Sequence, residues 1–120
     1  MRFVLDHCGY VSGSLAPSEN TTAPVRALAL YKNVYIKLTF LPLASRQAYT
    51  FADAHWMVRE LVDAFGPDRC LFGSNFSTVQ YSPQTEYEQT VALFADAVDL
   101  SVEERAWILG GTAQTLWRWS

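Results

Sequence analysis

The sequence predicts an α/β fold with a parallel sheet, and three observations carry that expectation. Strand-like runs stand at residues 3–5, 34–40 and 69–73; the first and third end in polar or small residues, and Pro42 closes the second. Amphipathic stretches with helix start and stop signals separate them. The runs recur at roughly 30 to 35 residues, the spacing of βαβ units whose crossovers return each strand parallel to the last.

The first run, Phe3-Val4-Leu5, reads as a buried strand that stops at Asp6-His7-Cys8-Gly9. Residues 11–20 carry serine, glycine, proline and asparagine and read as loop. Thr22 and Pro24 mark a helix start, because proline suits a first-turn position whose amide has no helical partner. Val25, Leu28 and Ala29 fall on one helical face, and Asn33 is a stop. Residues 34–40 alternate and are rich in β-branched and aromatic side chains, so they form the clearest strand; Pro42 closes it. A second helix is expected from Thr50, with Asp53 at the capping-box distance. Its apolar face is Phe51, Ala54, Val58, Leu61, Val62 and Phe65, and Gly66-Pro67 ends it. The third strand, 69–73, runs into Ser74-Asn75. Ser82-Pro83 opens a helix reaching about Asp99. Ser101 and Glu104 form a capping box for the next helix. Gly110-Gly111 ends that one, and Thr112 caps a last short helix bearing Leu116, Trp117 and Trp119.

The chain has 120 residues, a net charge of −3 and 50% hydrophobic residues. That fits a single domain over 1–120 with a real core. The mild acidity excludes a basic stripe for nucleic acid. No apolar run approaches the roughly 18 residues of a membrane span. Cys8 and Cys70 form no CxxC and read as reduced thiols of a cytoplasmic protein.

In parallel α/β folds, ligands bind beyond the carboxyl ends of the strands. Here those ends are Asp6 to Gly9, Thr39 to Leu41 and Gly73 to Phe76. His7 is a candidate metal ligand or general base, against a structural histidine satisfied by nearby backbone. Asp6 is expected to cap a loop rather than orient His7, since neighbours on a strand point to opposite faces. Cys8 reads as a buried inert thiol more than a nucleophile. Ser74 lacks the Gly-x-Ser-x-Gly elbow and is a weak nucleophile. Lys37 points either into a barrel or to solvent. His55 reads as a surface or helix-packing residue, and no His-x-His or His-Glu-x-x-His occurs. Trp107, Trp117 and Trp119 read as core or interface.

Together the strand ends resemble a known family. Val4-Leu5-Asp6-His7-Cys8-Gly9, Asn33-Val34-Tyr35-Ile36-Lys37-Leu38-Thr39, the segment Phe65-Gly66-Pro67-Asp68-Arg69-Cys70-Leu71-Phe72-Gly73-Ser74-Asn75-Phe76, and Glu104-Arg105 through Gly111-Thr112-Ala113 stand in the family's order. The family is the amidohydrolase-related group of TIM-barrel metal-dependent hydrolases, which includes lactonases of pyrone dicarboxylate and sugar lactones. The resemblance is to its C-terminal portion, the sixth to eighth βα units with an extra C-terminal helix.

The resemblance implies a partial TIM (β/α)8 barrel and hydrolysis of a lactone or other cyclic ester or amide of a small carboxylate or sugar acid. It puts the family's sixth-strand histidine at His7, as carbonyl polariser or metal ligand. The family's eighth-strand aspartate falls on Asn75, which would hold water or substrate by hydrogen bonds but accepts no proton. Ser74 beside it would bind substrate, and the proline expected after Phe76 is Ser77. A divalent metal, Zn or Mn, belongs to the full-length family and is not assured here. The first-strand His-x-His is missing, so the domain is expected to be incomplete and inactive alone. Two other expectations stand beside this one. One is a non-catalytic α/β module or barrel-completing subunit, self-associating through open sheet edges. The other is a metal-dependent decarboxylase of the same superfamily.

Overall fold

The structure, a computed structural model, describes residues 1–11, 21–39, 41–76 and 86–118. Three strands, β1 (Phe3–Leu5), β2 (Val34–Leu38) and β3 (Cys70–Phe72), form one parallel sheet in the order β1-β2-β3. Val34 pairs with Phe3, and Ile36 pairs with both Leu5 and Cys70. The expected order of strands and helices is observed. Phe40, residues 12–20 of the expected loop, Ser77, Ser82-Pro83 and Trp119 lie outside the described residues.

Alternation along β2 decides the two faces of the sheet. Val34, Ile36 and Leu38 are buried, while Tyr35 and Lys37 are half-buried. The buried set shares one core cluster with Val25 of α1 (Ala23–Ala27) and packs on α3 (His55–Phe65). From α3 come Met57, Val58, Leu61, Val62 and Phe65, all buried at helical spacing. Met57 joins a face that the sequence pattern had left without it.

Several helix ends differ from expectation. Thr50 and Asp53 form no capping box; a 3-10 turn, Ala52–Ala54, leads into α3 instead. The Asp53 carboxylate takes the Ser45 hydroxyl and the Arg46 amide, tying down the loop after α2 (Leu41–Ala44). Thr22 stands at the start of α1, but its hydroxyl goes to Glu60 rather than to the helix. Helix α4 (Tyr87–Ala92) is capped by Glu86 and continues as a π turn, Leu93–Ala97.

The Ser101–Glu104 capping box forms as expected and opens α5 (Val102–Ala106). Gly110-Gly111 does not end that helix. A π turn, Trp107–Gly111, carries it into α6 (Thr112–Trp117). Glycine costs a helix about 1 kcal/mol but does not forbid it, and the wider turn keeps helical dihedrals. Thr112 is therefore mid-helix and buried, its hydroxyl donating to Pro67 O at 2.9 Å. Trp117 is 54% exposed and not part of the core.

A buried arginine closes the N-terminal end of the sheet. Arg69 donates to Phe65 O at 2.9 Å, Tyr31 O at 3.0 Å, Ala29 O at 3.0 Å and Val34 O at 3.2 Å. It joins the ends of two helical segments to the start of β2, a role the sequence pattern did not show.

Candidate functional site

At the carboxyl end of β1 the chain leaves the sheet in an unusual way. His7, Cys8, Gly9 and Tyr10 all have positive φ, at 52°, 53°, 69° and 59°. Only one of them is glycine. A left-handed conformation costs a non-glycine residue roughly 1 kcal/mol or more, so neighbours must hold this turn. Gly9 is required, because a Cβ would meet Val25 Cγ2 at 2.7 Å. Gly9 N donates to Asp6 O at 2.8 Å. Cys8 is buried, and its thiol donates to Thr39 O at 3.2 Å.

Asp6 caps this turn, as expected, but it also lies beside His7, which was not. Its Oδ1 accepts from the His7 amide at 3.0 Å and is 3.5 Å from His7 Nδ1. The opposite-faces argument fails because His7 is already past the strand, in the left-handed region. Lys37 Nζ is 2.8 Å from the same oxygen. Burial pushes the Asp6 carboxyl up, yet the Lys37 ammonium and His7 outweigh it and hold the group below its usual range. Lys37 therefore lies on the sheet face opposite the packed helices, the face that a closed barrel turns to its interior. The Cys8 thiol is pushed up to about 12, chiefly by burial, and is no nucleophile at neutral pH.

At the end of β3, Ser74 Oγ accepts from Phe76 N at 3.2 Å, which occupies its hydroxyl in a local turn. Asn75 has φ 53°, a conformation asparagine tolerates better than most residues. Gly73 allows close packing: a Cβ there would meet Lys37 Cδ at 2.9 Å and Thr39 Cβ at 3.1 Å. The strand order puts His7 and Asn75 on one rim with β2 between them, about 10 Å apart at strand spacing. They share a rim but not a contact.

A small pocket near Thr39, Phe51, Ser74 and Phe94 holds roughly one water molecule, at about 10 Å³. It is too small for a lactone ring. His55 Nε2 donates to Thr50 O at 2.6 Å, a packing role as expected.

Among the described residues no three His, Cys, Asp or Glu side chains come together as a metal site. His7 lies beside Asp6 and Tyr10, Asp6 is engaged by Lys37, and Asn75 offers a weak amide oxygen. No described helix is long and apolar enough to cross a membrane.

Solved structures share this fold. An amidohydrolase from Burkholderia multivorans with bound zinc is 25% identical, with a TM-score of 0.82 over 99% of this chain and 44% of its own. A protein assigned as a 2-pyrone-4,6-dicarboxylic acid hydrolase from Pseudomonas putida is 21% identical, with a TM-score of 0.83 over 98% of this chain and 43% of its own. Amidohydrolase 2 from Bifidobacterium longum subsp. infantis is 22% identical, with a TM-score of 0.68 over 100% of this chain and 41% of its own. No curated protein matches. The chain thus spans less than half the length of these solved structures, which fits three parallel βα units of a partial TIM barrel. The amidohydrolase family model matches residues 1–119. With its three βα units in the family's order along nearly its whole length, the chain belongs to the amidohydrolase family.

Proposed function

We propose that this chain provides the C-terminal rim of a hydrolase site for a lactone, or another cyclic ester or amide, of a small carboxylate or sugar acid. One observation carries it: His7 and Asn75 flank β2 on the C-terminal rim of a parallel sheet, in an amidohydrolase-family chain. The name of the Pseudomonas putida relative, a pyrone dicarboxylate hydrolase, supports a cyclic ester as substrate. The net charge of −3 suits a small molecule rather than nucleic acid.

Lactone hydrolysis adds water to the carbonyl carbon, passes through a tetrahedral intermediate and breaks the ring C–O bond. His7 serves best by directing its imidazole to the carbonyl oxygen, where negative charge develops. It becomes one ligand of a divalent metal only where further ligands join it. Asn75 holds water or substrate through its amide, and Ser74 lines the same strand end. Neither Asn75 nor Ser74 takes the proton from water at neutral pH, and His7 is turned to the carbonyl, so in this reading the base comes from other segments and the isolated chain is inactive. Two free, buried thiols, Cys8 and Cys70, support a cytoplasmic setting.

The test is a chimera in which this chain replaces the matching C-terminal segment of the Burkholderia multivorans protein. A soluble chimera that hydrolyses an aryl lactone, and loses that turnover with His7→Ala, is the expected result. Equal rates with and without His7 remove the proposal. A second reading, an interaction module, is favoured by Phe3 and Val4, 50% and 38% exposed on the edge strand β1. It predicts a dimer or larger species by light scattering; a monomer counts against it.

A further inference from the structure

We propose that Lys37 is a positioning residue for His7, fixing the left-handed turn that carries the imidazole and tying it to the strand end that carries Asn75. The proposal rests on the roles given to His7 and Asn75 above. Lys37 belongs to β2, the central strand. Its ammonium is 2.8 Å from Asp6 Oδ1. That oxygen also accepts from the His7 amide at 3.0 Å. Without the ammonium, Asp6 keeps an amide contact but loses the charge that fixes its carboxylate.

The lysine stem is held on its other side. Gly73 lies against it so closely that a Cβ would meet Lys37 Cδ at 2.9 Å and Cγ at 3.0 Å. Asn75 follows Gly73 by two positions. One side chain therefore touches both segments of the rim. Lysine suits the task because its apolar stem covers backbone while its head reaches a carboxylate. The turn needs such outside support, since His7, Cys8 and Tyr10 hold positive φ without being glycine. The thiol of Cys8, bonded to Thr39 O at 3.2 Å, is the second tie from the end of β2.

The test is NMR on the 15N-labelled chain. Strong intraresidue amide–Hα NOEs at His7 and Cys8 report positive φ, and the imidazole nitrogen shifts report ring placement. Lys37→Met is expected to weaken those NOEs, move the ring shifts and speed His7 amide exchange by about tenfold, with exchange in α3 unchanged. Lys37→Arg is expected to restore the pattern in large part. Unchanged NOEs and ring shifts in Lys37→Met, even with a lowered melting temperature, make Lys37 a structural ion-pair residue and overturn the proposal. Should Lys37→Met not fold, Lys37→Gln, which keeps a polar head without the charge, carries the test: the same loosening supports the proposal, and an unmoved His7 ring overturns it. These readouts need no turnover, so a failed lactone assay and a failed positioning role are told apart.

Discussion

At the N-terminal end of the sheet, Arg69 is 8% exposed and donates to four main-chain carbonyls. At the C-terminal end, the Lys37 side chain is 34% exposed and meets a carboxylate that is itself half in water. Both are cations bridging neighbouring elements, but their surroundings differ. Arg69 is committed to backbone acceptors in a closed site, whose loss leaves buried carbonyls without partners. Lys37 bridges an open rim, where water can replace much of what is lost. The lower end is built for stability and the upper end for holding groups in place, the division expected of a barrel's two faces.

That contrast is broken most directly at the lower end. Arg69→Met is expected to cost about 3 kcal/mol, from orphaned buried carbonyls, and to lower the melting temperature by roughly 10 °C. Differential scanning calorimetry measures it, and a loss no larger than that of Lys37→Met would erase the difference between the ends.

At the upper end the largest effect belongs to the turn's backbone. Gly9→Ala is expected to cost about 2 kcal/mol, since alanine resists positive φ and its Cβ would strike Val25. Urea unfolding checks this; a neutral substitution would mean the turn is not fixed as described.

Two smaller effects serve as references. Ser101→Ala is expected to cost about 1 kcal/mol in urea unfolding, through loss of the α5 cap. The Arg59 guanidinium, 2.6 Å from Glu104, holds that carboxyl at about 2 instead of its ordinary 4.5. A lowered folded-state value contributes stability above the unfolded value and loses it as pH falls through the folded one. Stability is thus expected to decline from about 4.5 toward about 2. Arg59 is 37% exposed, so the loss is about 1 kcal/mol or less. An acid titration of stability comparing Glu104→Gln with the parent isolates it.

What was legible from the chain follows from local rules. The alternation of 34–38 exposed β2 because a sheet with one packed face forces period two. The α3 face emerged from helical spacing, and the α5 start from a serine followed by glutamate three residues on. His7 stood out because a parallel strand delivers its last residues to the binding rim. The Gly110-Gly111 break was misread because glycine lowers helix propensity without abolishing it, and packing against the segment after α3 carried the helix through. Asp53 was misread because its carboxylate found stronger partners in the preceding loop than a helix amide.

By itself, then, the sequence determined the order of strands and helices, the core face of β2 and α3, and the residues that arrive at the rim. These depend on periodicity and on neighbours a few positions away. Only the tertiary structure decided that His7 sits in a left-handed turn, that Lys37 meets Asp6, and that Arg69 closes the opposite end. Each joins residues some 30 positions or more apart, or rests on contacts that do. No local pattern encodes such pairs; they arise when parallel register sets the strands side by side.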